Sequence, residues 1–548
     1  GDLGFDNLFY SRRIGRSPHL GADTEENEYA SVPRTTPIIS AIKLTGKTPE
    51  GLSVGIVEAV TAEVKADIDS LGIRSSQTVE PLTNYLVSRV MKDFDGGKTV
   101  VGGAFTNTHR FLDGTGIDGL VSNANTAGVD FSQYFGDERS WFVSSAVAAS
   151  NLTGSTEAIE NLQYSPVHYY QRPDADYIEV DPTRTSLNGF GGNVQTGKVG
   201  GHWNFMAFTY FKSPGFDLND AGYLQSADAI ISGLWSAYRF DKPFSIFRQI
   251  RPNANLWTGW DFGGTHLFTG GNLSVYTQYK NLWWTSIGGN YEGEAISNSI
   301  LRGGPSMLTP GNLSLFLNVG SNQSRMIYGS LWANRGKGAE DSRERWGAGV
   351  DLTANPGQSF SVTISPSYSK NMNTLQYVTH ISDGDHYLLS QIDQQIVSMS
   401  VRLNYNITPD LTIQYWGQPF LAAMDYSRYK EVTDPMAEEL EDRYHMLTDS
   451  ELTYNEAENR YYVDDNNDGT SDYSFDNPDY NYDQFLSNLV ARWEFRPGST
   501  LYLVWSQTRS YYDSTGSFSL EENLDHLYSE EKPYNVFLIK FTYRFGLR

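Results

Sequence analysis

The chain has 548 residues, a net charge of −24, no cysteine, 51 glycines and an aromatic share of 14%, made up of 35 Tyr, 28 Phe and 12 Trp. Such acidity excludes a nucleic-acid partner, which needs a basic patch, and the missing cysteine excludes a disulfide scaffold. A mean hydropathy of −0.44, with no run of about 18 apolar residues, excludes transmembrane helices. No basic and then apolar leader opens the chain, so the sequence reads as a mature or truncated start.

From the N-terminus, the first strand is predicted at 9–14, and after it short turns alternate with longer or more polar links. Short turns fall at 46–51, 93–98, 136–139, 198–201, 241–244, 280–281, 321–324, 355–358, 408–410 and 496–499. The links between them are 15–35, 64–78, 110–125, 152–183, 212–225, 294–310, 425–483 and 512–533, with three shorter ones at 261–265, 335–341 and 381–385. Short turns at one end and long loops at the other are the rhythm of an outer-membrane barrel, and they give about 22 strands within a range of about 20–24. The stretch 360–378 counts as one strand or two.

The C-terminal strands show the alternation best. In 485–496 one parity holds Phe485, Leu489, Trp493 and Phe495, and the other holds Asn488, Arg492, Glu494 and Arg496. At the end of the chain Phe537, Ile539, Phe541, Tyr543 and Phe545 share a face opposite Lys540, Thr542 and Arg544. A soluble sandwich would fill its apolar face mainly with Val, Ile and Leu. Aromatic stripes near strand ends instead predict interfacial girdles, to which Tyr169, Tyr170, Tyr276, Tyr279, Trp283 and Trp284 are assigned. The expected fold is all-β: a single transmembrane antiparallel barrel over 1–548, with short periplasmic turns and long extracellular loops, in a Gram-negative outer membrane. A barrel this wide encloses an aqueous channel or a plugged lumen. With no plug-sized domain at the N-terminus, a plug must come from inward-folded loops or a partner chain.

Several segments resemble an uncharacterised outer-membrane β-barrel family often found C-terminal to a family-9 carbohydrate-binding-like module. They are Leu8-Phe-Tyr-Ser-Arg-Arg-Ile-Gly15, Ala41-Ile-Lys-Leu-Thr-Gly-Lys47, Val79-Glu-Pro-Leu-Thr-Asn-Tyr85, Leu301-Arg-Gly-Gly-Pro305, Gln414-Tyr-Trp-Gly-Gln-Pro-Phe420 and 487–499, spread in order along the chain. The resemblance implies location and fold and supplies no catalytic residues. This chain begins at the barrel, which weakens sugar binding as an expectation.

The sharpest local motif is Asp464, Asn466, Asp468, Gly469 and Asp472, with Asp476 beyond. Oxygen donors at alternate positions before a turn glycine suit Ca²⁺, while the same residues also build ordinary solvated turns. The surrounding link, 425–483, is acidic, yet Tyr444, Tyr454, Tyr461, Tyr462, Tyr473 and Phe475 predict an ordered extracellular cap that meets lipopolysaccharide and its cations. Arg302, in an Arg-Gly-Gly-Pro turn, is a constriction candidate or a surface residue. Arg492, Glu494, Lys540 and Arg544 are lumen candidates that pair across neighbouring strands. The nine His lack zinc-site spacing, so His109, His168, His386 and His445 are candidates for a rim hydrolase only by default. The leading expectation is a channel or transport barrel, gated by loops. The alternative is a plugged barrel that anchors or assembles an envelope complex with a protein partner.

Overall fold

A computed structural model of the chain describes residues 2–3 and 6–545. It divides into two compact units. The first comprises the chain up to Tyr238 with Asn255–Thr269 and Ile296–Ser306; the second comprises Arg239–Ala254, Gly270–Ala295 and the chain from Met307 onward.

In the first unit the strands are β1 (Glu28–Ser31), β2 (Ile38–Lys47), β3 (Leu52–Thr61), β4 (Val64–Ser70), β5 (Ile73–Glu80), β6 (Leu82–Phe94), β7 (Thr99–Phe111), β8 (Asn123–Phe135) and β9 (Trp141–Thr153). Helix α1 (Thr156–Tyr164) precedes β10 (Ser186–Lys198), β11 (Trp203–Lys212) and β12 (Ala229–Tyr238). β2, β3 and β6 through β12 pair in succession, each antiparallel to the last. β4 and β5 form a hairpin that joins β1 in a separate three-stranded sheet.

β13 (Phe247–Trp260) and β14 (His266–Tyr279) contribute residues to both units. The second unit continues with β15 (Trp284–Glu292), β16 (Asn312–Gly320), β17 (Ile327–Gly338), β18 (Arg343–Gly357), β19 (Phe360–Ile381), β20 (His386–Thr408) and β21 (Leu411–Val432). A small sheet of β22 (Leu452–Asn455), β23 (Arg460–Val463) and β24 (Tyr473–Asp476) follows. β25 (Tyr480–Arg496), β26 (Ser499–Asp513), helix α2 (Leu520–Asp525) and β27 (Tyr534–Thr542) complete it. From β14 through β21, then β25 to β27, every consecutive pair is antiparallel. The protein is thus nearly all-β, with extended antiparallel sheet in each unit.

Which parity of each strand is exposed decides how the sheets are used. In β8, Val129 is 66% exposed whereas Thr126 is 7% exposed. In β9 Val147 is exposed while Ala148 and Ser150 are buried, and in β16 Leu313, Leu315 and Leu317 all lie open. A water-soluble sheet buries its apolar parity. Here the apolar parity faces out and the polar parity faces in, the arrangement that a hydrocarbon surrounding selects. No helix among the described residues is long and apolar enough to cross a membrane.

Aromatic rings gather beside the short turns. Trp141 meets Phe205 at 5.4 Å between centroids and Trp203 meets Phe205 at 5.7 Å. In the second unit, Phe247 meets Tyr279 at 5.7 Å and Phe495 meets Phe541 at 5.6 Å. Such rings carry both apolar surface and, for Trp and Tyr, a polar edge that suits an interface.

Three expectations need correction. The strand expected at 9–14 is a 3-10 turn, Ser11–Arg13. Backbone and side-chain bonds pin it to a distant loop: Tyr10 N donates to Ala221 O at 2.8 Å and Arg13 Nε to Gly222 O at 2.8 Å, so no strand partner is used. The link 64–78 is the β4–β5 hairpin, because Val64, Ala66 and Val79 pack with Leu20 and Ala22 into a local core. Tyr169 and Tyr170 are not girdle residues: Tyr170 is buried with Ile159 and Leu187. The stretch from 360 is a single strand reaching Ile381, with irregularities after Asn373 and Tyr377.

Candidate functional site

On the inward, polar face of the first unit, charge is paired across strands. Arg89 on β6 reaches over β7 to Asp130 on β8, with Nη2 2.8 Å from Oδ1. Gly102 of β7 lies beneath this bridge, and a Cβ there would come 2.6 Å from both partners. Glycine makes the two-strand reach possible.

Three segments then cover this face over β7, β9 and β10. They are the N-terminal stretch from Asp6, the link 154–185 that contains α1, and the link 213–228. Ser155 caps α1, its Oγ accepting from Ala158 N at 3.0 Å, and Ile159 of the helix packs on Leu187 of β10. Phe216 is fully buried against Ala148, Leu218 and Leu224. The wall admits it because Gly189 has no side chain: a Cβ there would lie 2.1 Å from Phe216 N.

Four buried or half-buried polar contacts fasten the cover. Arg110, at the end of β7, holds Asp220 at 2.5 Å. Lys212, at the end of β11, meets Asp6 at 3.1 Å. His168 places Nε2 3.0 Å from Asp217 Oδ2 and Nδ1 2.7 Å from Pro214 O, and Asp217 N donates to Ser150 Oγ on the wall at 3.1 Å. Arg172 holds Asp228 at 2.5 Å, while Tyr177 donates to the same carboxylate and Phe262 N to its other oxygen at 3.0 Å. Burial, followed by the bond to Asp228, pushes the Tyr177 phenol up, so it stays a neutral donor. Burial works against the Arg172 charge, yet Tyr177 and Asp228 hold its pKa above the ordinary value. Loops tied by buried, hydrogen-bonded charge are fixed in one place.

In the second unit the acidic link forms a cap with a core of its own. Val463, Tyr473 and Phe475 are buried with Leu388, Tyr429 and Leu447, and Tyr461 packs against them. The aromatic side chains of the cap thus meet the upper ends of β20 and β21. The segment from 425 to 432 continues β21, and β25 begins at Tyr480, so the cap proper is shorter than the expected 425–483.

The residues singled out from sequence separate into groups. Asp464, Asn466, Asp468 and Asp472 lie in one turn, where Asp464 accepts from Gly469 N at 2.8 Å and Asn466 from Asp468 N at 2.9 Å. Asp472 accepts from Asp465 N at 2.9 Å. Asp476 stands apart on β24, 3.7 Å from Arg460. Arg302 is exposed in a left-handed turn (φ 48°) and acts electrostatically on Tyr169. Arg492 and Glu494 pair along one strand at 2.5 Å rather than between strands. Arg492 also reaches Tyr502 on β26 at 3.3 Å, and Lys540 of β27 sits 5.7 Å from the Tyr502 ring. Arg544 lies past the end of β27, with its amide on Ser499 Oγ at 3.0 Å. Of the histidines, His109 packs edge-on against Phe111, His445 bonds Glu451 at 2.9 Å, and both nitrogens of His168 are engaged by Asp217 and Pro214. Sequence reasoning missed Arg110, Arg172, Asp217, Asp220 and Asp228. Their one signal was charge inside otherwise apolar or glycine-rich links, and nothing in the spacing says which acid meets which base.

Sheets with their apolar parity exposed and a polar face covered by fastened loops define a nearly all-β protein. The chain belongs to the family described as Domain of unknown function (DUF5916), whose model matches residues 4–545. Among solved structures it is similar to a BenF-like porin from Pseudomonas fluorescens Pf-5, at 12% identity and a TM-score of 0.33, over 64% of this chain and 88% of the porin. No curated protein matches it.

Proposed function

We propose that the chain is a Gram-negative outer-membrane barrel of about 22 strands that serves as a channel for a solute or polymer, gated by loops folded onto its inner face. The observation that carries this reading is the inversion of burial: apolar side chains such as Val129 and Leu315 lie open while charged and polar ones are covered. A wide barrel with a polar inner face is permeable unless something fills it. Here the covering segments are loops of the same chain rather than wall strands, and gating would require the ion pairs that tie them down to part. In this reading lipid and lipopolysaccharide contact the outer face, and the oxygens of the Asp464–Asp472 turn offer a structural Ca²⁺ site.

A second reading has a specific observation behind it. The Arg172–Asp228 pair and the Arg110 guanidinium are almost wholly buried, and opening the cover would expose or strand those charges. A lumen closed so firmly suits an anchor or a structural subunit with an envelope protein partner.

Paired substitutions on β16 test the membrane reading itself. Leu315→Arg puts a charge on the outward parity, and its insertion into lipid should be weakened by about 2–4 kcal/mol. Ser314→Arg, one residue away on the inward parity, should insert as the parent does. The readout is the fraction of folded, heat-shifted barrel on a gel after refolding into vesicles. Equal tolerance of both substitutions would rule out a lipid-facing sheet.

A further inference from the structure

At the junction between the cap and the wall strands, three metal-ligating side chains from distant parts of the chain converge. His386 is the first residue of β20, Glu431 is the last but one of β21, and Asp465 sits at the tip between β23 and β24. One donor atom from each lies within 4.8 Å of the other two. His386 Nδ1 is 2.6 Å from Glu431 Oε1 and 4.0 Å from Asp465 Oδ2. We propose that His386, Glu431 and Asp465 form a site for a divalent cation of borderline hardness, such as Zn²⁺, which clips the cap to the wall.

The surroundings orient each donor. Tyr473 donates to Glu431 Oε2 at 3.1 Å, leaving Oε1 to face the imidazole, and its ring stacks on His386 at 4.3 Å. The backbone at Gly384 (φ +83°) comes so close to His386 Nε2 that a Cβ there would stand 2.2 Å away. Nε2 is therefore turned into the 382–385 turn and Nδ1 is the nitrogen presented to the carboxylates. Asp465 differs from its neighbours: Asp464 and Asp468 spend their oxygens on backbone amides of their own turn, whereas Asp465 is pinned through its amide by Asp472 and turns its carboxylate toward His386.

Charge and donor type set the ion. Two carboxylates face one imidazole, and Glu451 and Asp472 add further negative charge around Asp465. A cation offsets that excess. Tetrahedral neighbours on an ion held at about 2.1 Å lie about 3.4 Å apart, so the 2.6 Å His386–Glu431 contact has to open and the 4.0 Å His386–Asp465 one to close, each by less than about 1 Å. One nitrogen with two oxygens favours Zn²⁺ over Ca²⁺, which takes oxygen ligands alone. Asp465 comes from the 464–472 turn, whose Asp472 holds its amide, but its carboxylate is not among the Ca²⁺ donors Asp464, Asn466, Asp468 and Asp472.

The test uses the tag-free full chain, refolded, stripped with chelator and titrated with Zn²⁺ against a chromophoric competitor. The parent should retain one Zn²⁺ per chain and gain protease resistance in the cap. His386→Ala and Asp465→Asn should each weaken binding by more than about tenfold, with an unchanged heat-shifted band as proof of folding. Asp468→Asn should bind as the parent does. Failure of the parent to retain Zn²⁺ would overturn the proposal. So would parental affinity in folded His386→Ala and Asp465→Asn, or displacement of Zn²⁺ by an equal concentration of Ca²⁺.

Discussion

Arg172 and Asp228 show at the scale of single residues why the inner loops hold their place. Both are nearly inaccessible, and a buried ion pair yields its stabilisation only while both partners are present. Arg172→Ala strands the Asp228 carboxylate with Tyr177 and Phe262 N as its remaining donors, and should cost about 3–5 kcal/mol. The double variant Arg172→Ala/Asp228→Ala should lose less, since no charge is then left buried. Urea denaturation of the folded band checks both; an equal or smaller loss in Arg172→Ala than in the double variant would remove the pair from the account. Glycine acts at the same scale. Without a side chain at position 189, Phe216 reaches the wall, and a sequence rich in glycine becomes a surface that loops can touch.

At the scale of elements, the strands and turns were legible and the loops were not. Strand positions follow from a period of two that the whole strand repeats, so 485–496 and the turn at 496–499 reappear in β25 and β26 with their bounds shifted by a few residues. The stretch 9–14 forms no strand because Arg13 and Tyr10 anchor the loop near Ala221. Links such as 213–228 carry no period, and their partners lie scores of residues away: Asp217 meets His168 and Asp220 meets Arg110. The cap was legible in part. Its aromatic content announced a local core, yet the meeting of Asp465 with His386 and Glu431 depends on how β23 and β24 dock, which spacing does not encode. Replacing 437–475 with a short Gly-Ser linker removes Val463, Tyr473 and Phe475 from their cluster and should uncover Leu388 and Tyr429. The expected result is a lower unfolding temperature with the wall still formed; an unchanged transition would mean that the cap adds nothing to the wall.

At the scale of the molecule, composition and architecture agree. The 35 tyrosines and 12 tryptophans suit an interface, the open valines and leucines suit hydrocarbon, and the charged side chains of the inner face are held by one another. Among the described residues the buried clusters are small and local, and they include those under the cap, beneath the inner loops and in the β4–β5 hairpin. Stability then rests on antiparallel backbone pairing. Function turns on whether the loop cover is a gate. The measurement that asks this most directly is single-channel conductance in a planar bilayer, comparing the parent with a chain whose residues 216–224 are replaced by a short Gly-Ser linker. That change removes Phe216 from the wall and Asp220 from Arg110 while leaving every strand intact. The account predicts small or intermittent conductance from the parent and a larger, steady one from the variant. Silence from both chains, each shown to be folded, would contradict the channel and leave the anchor.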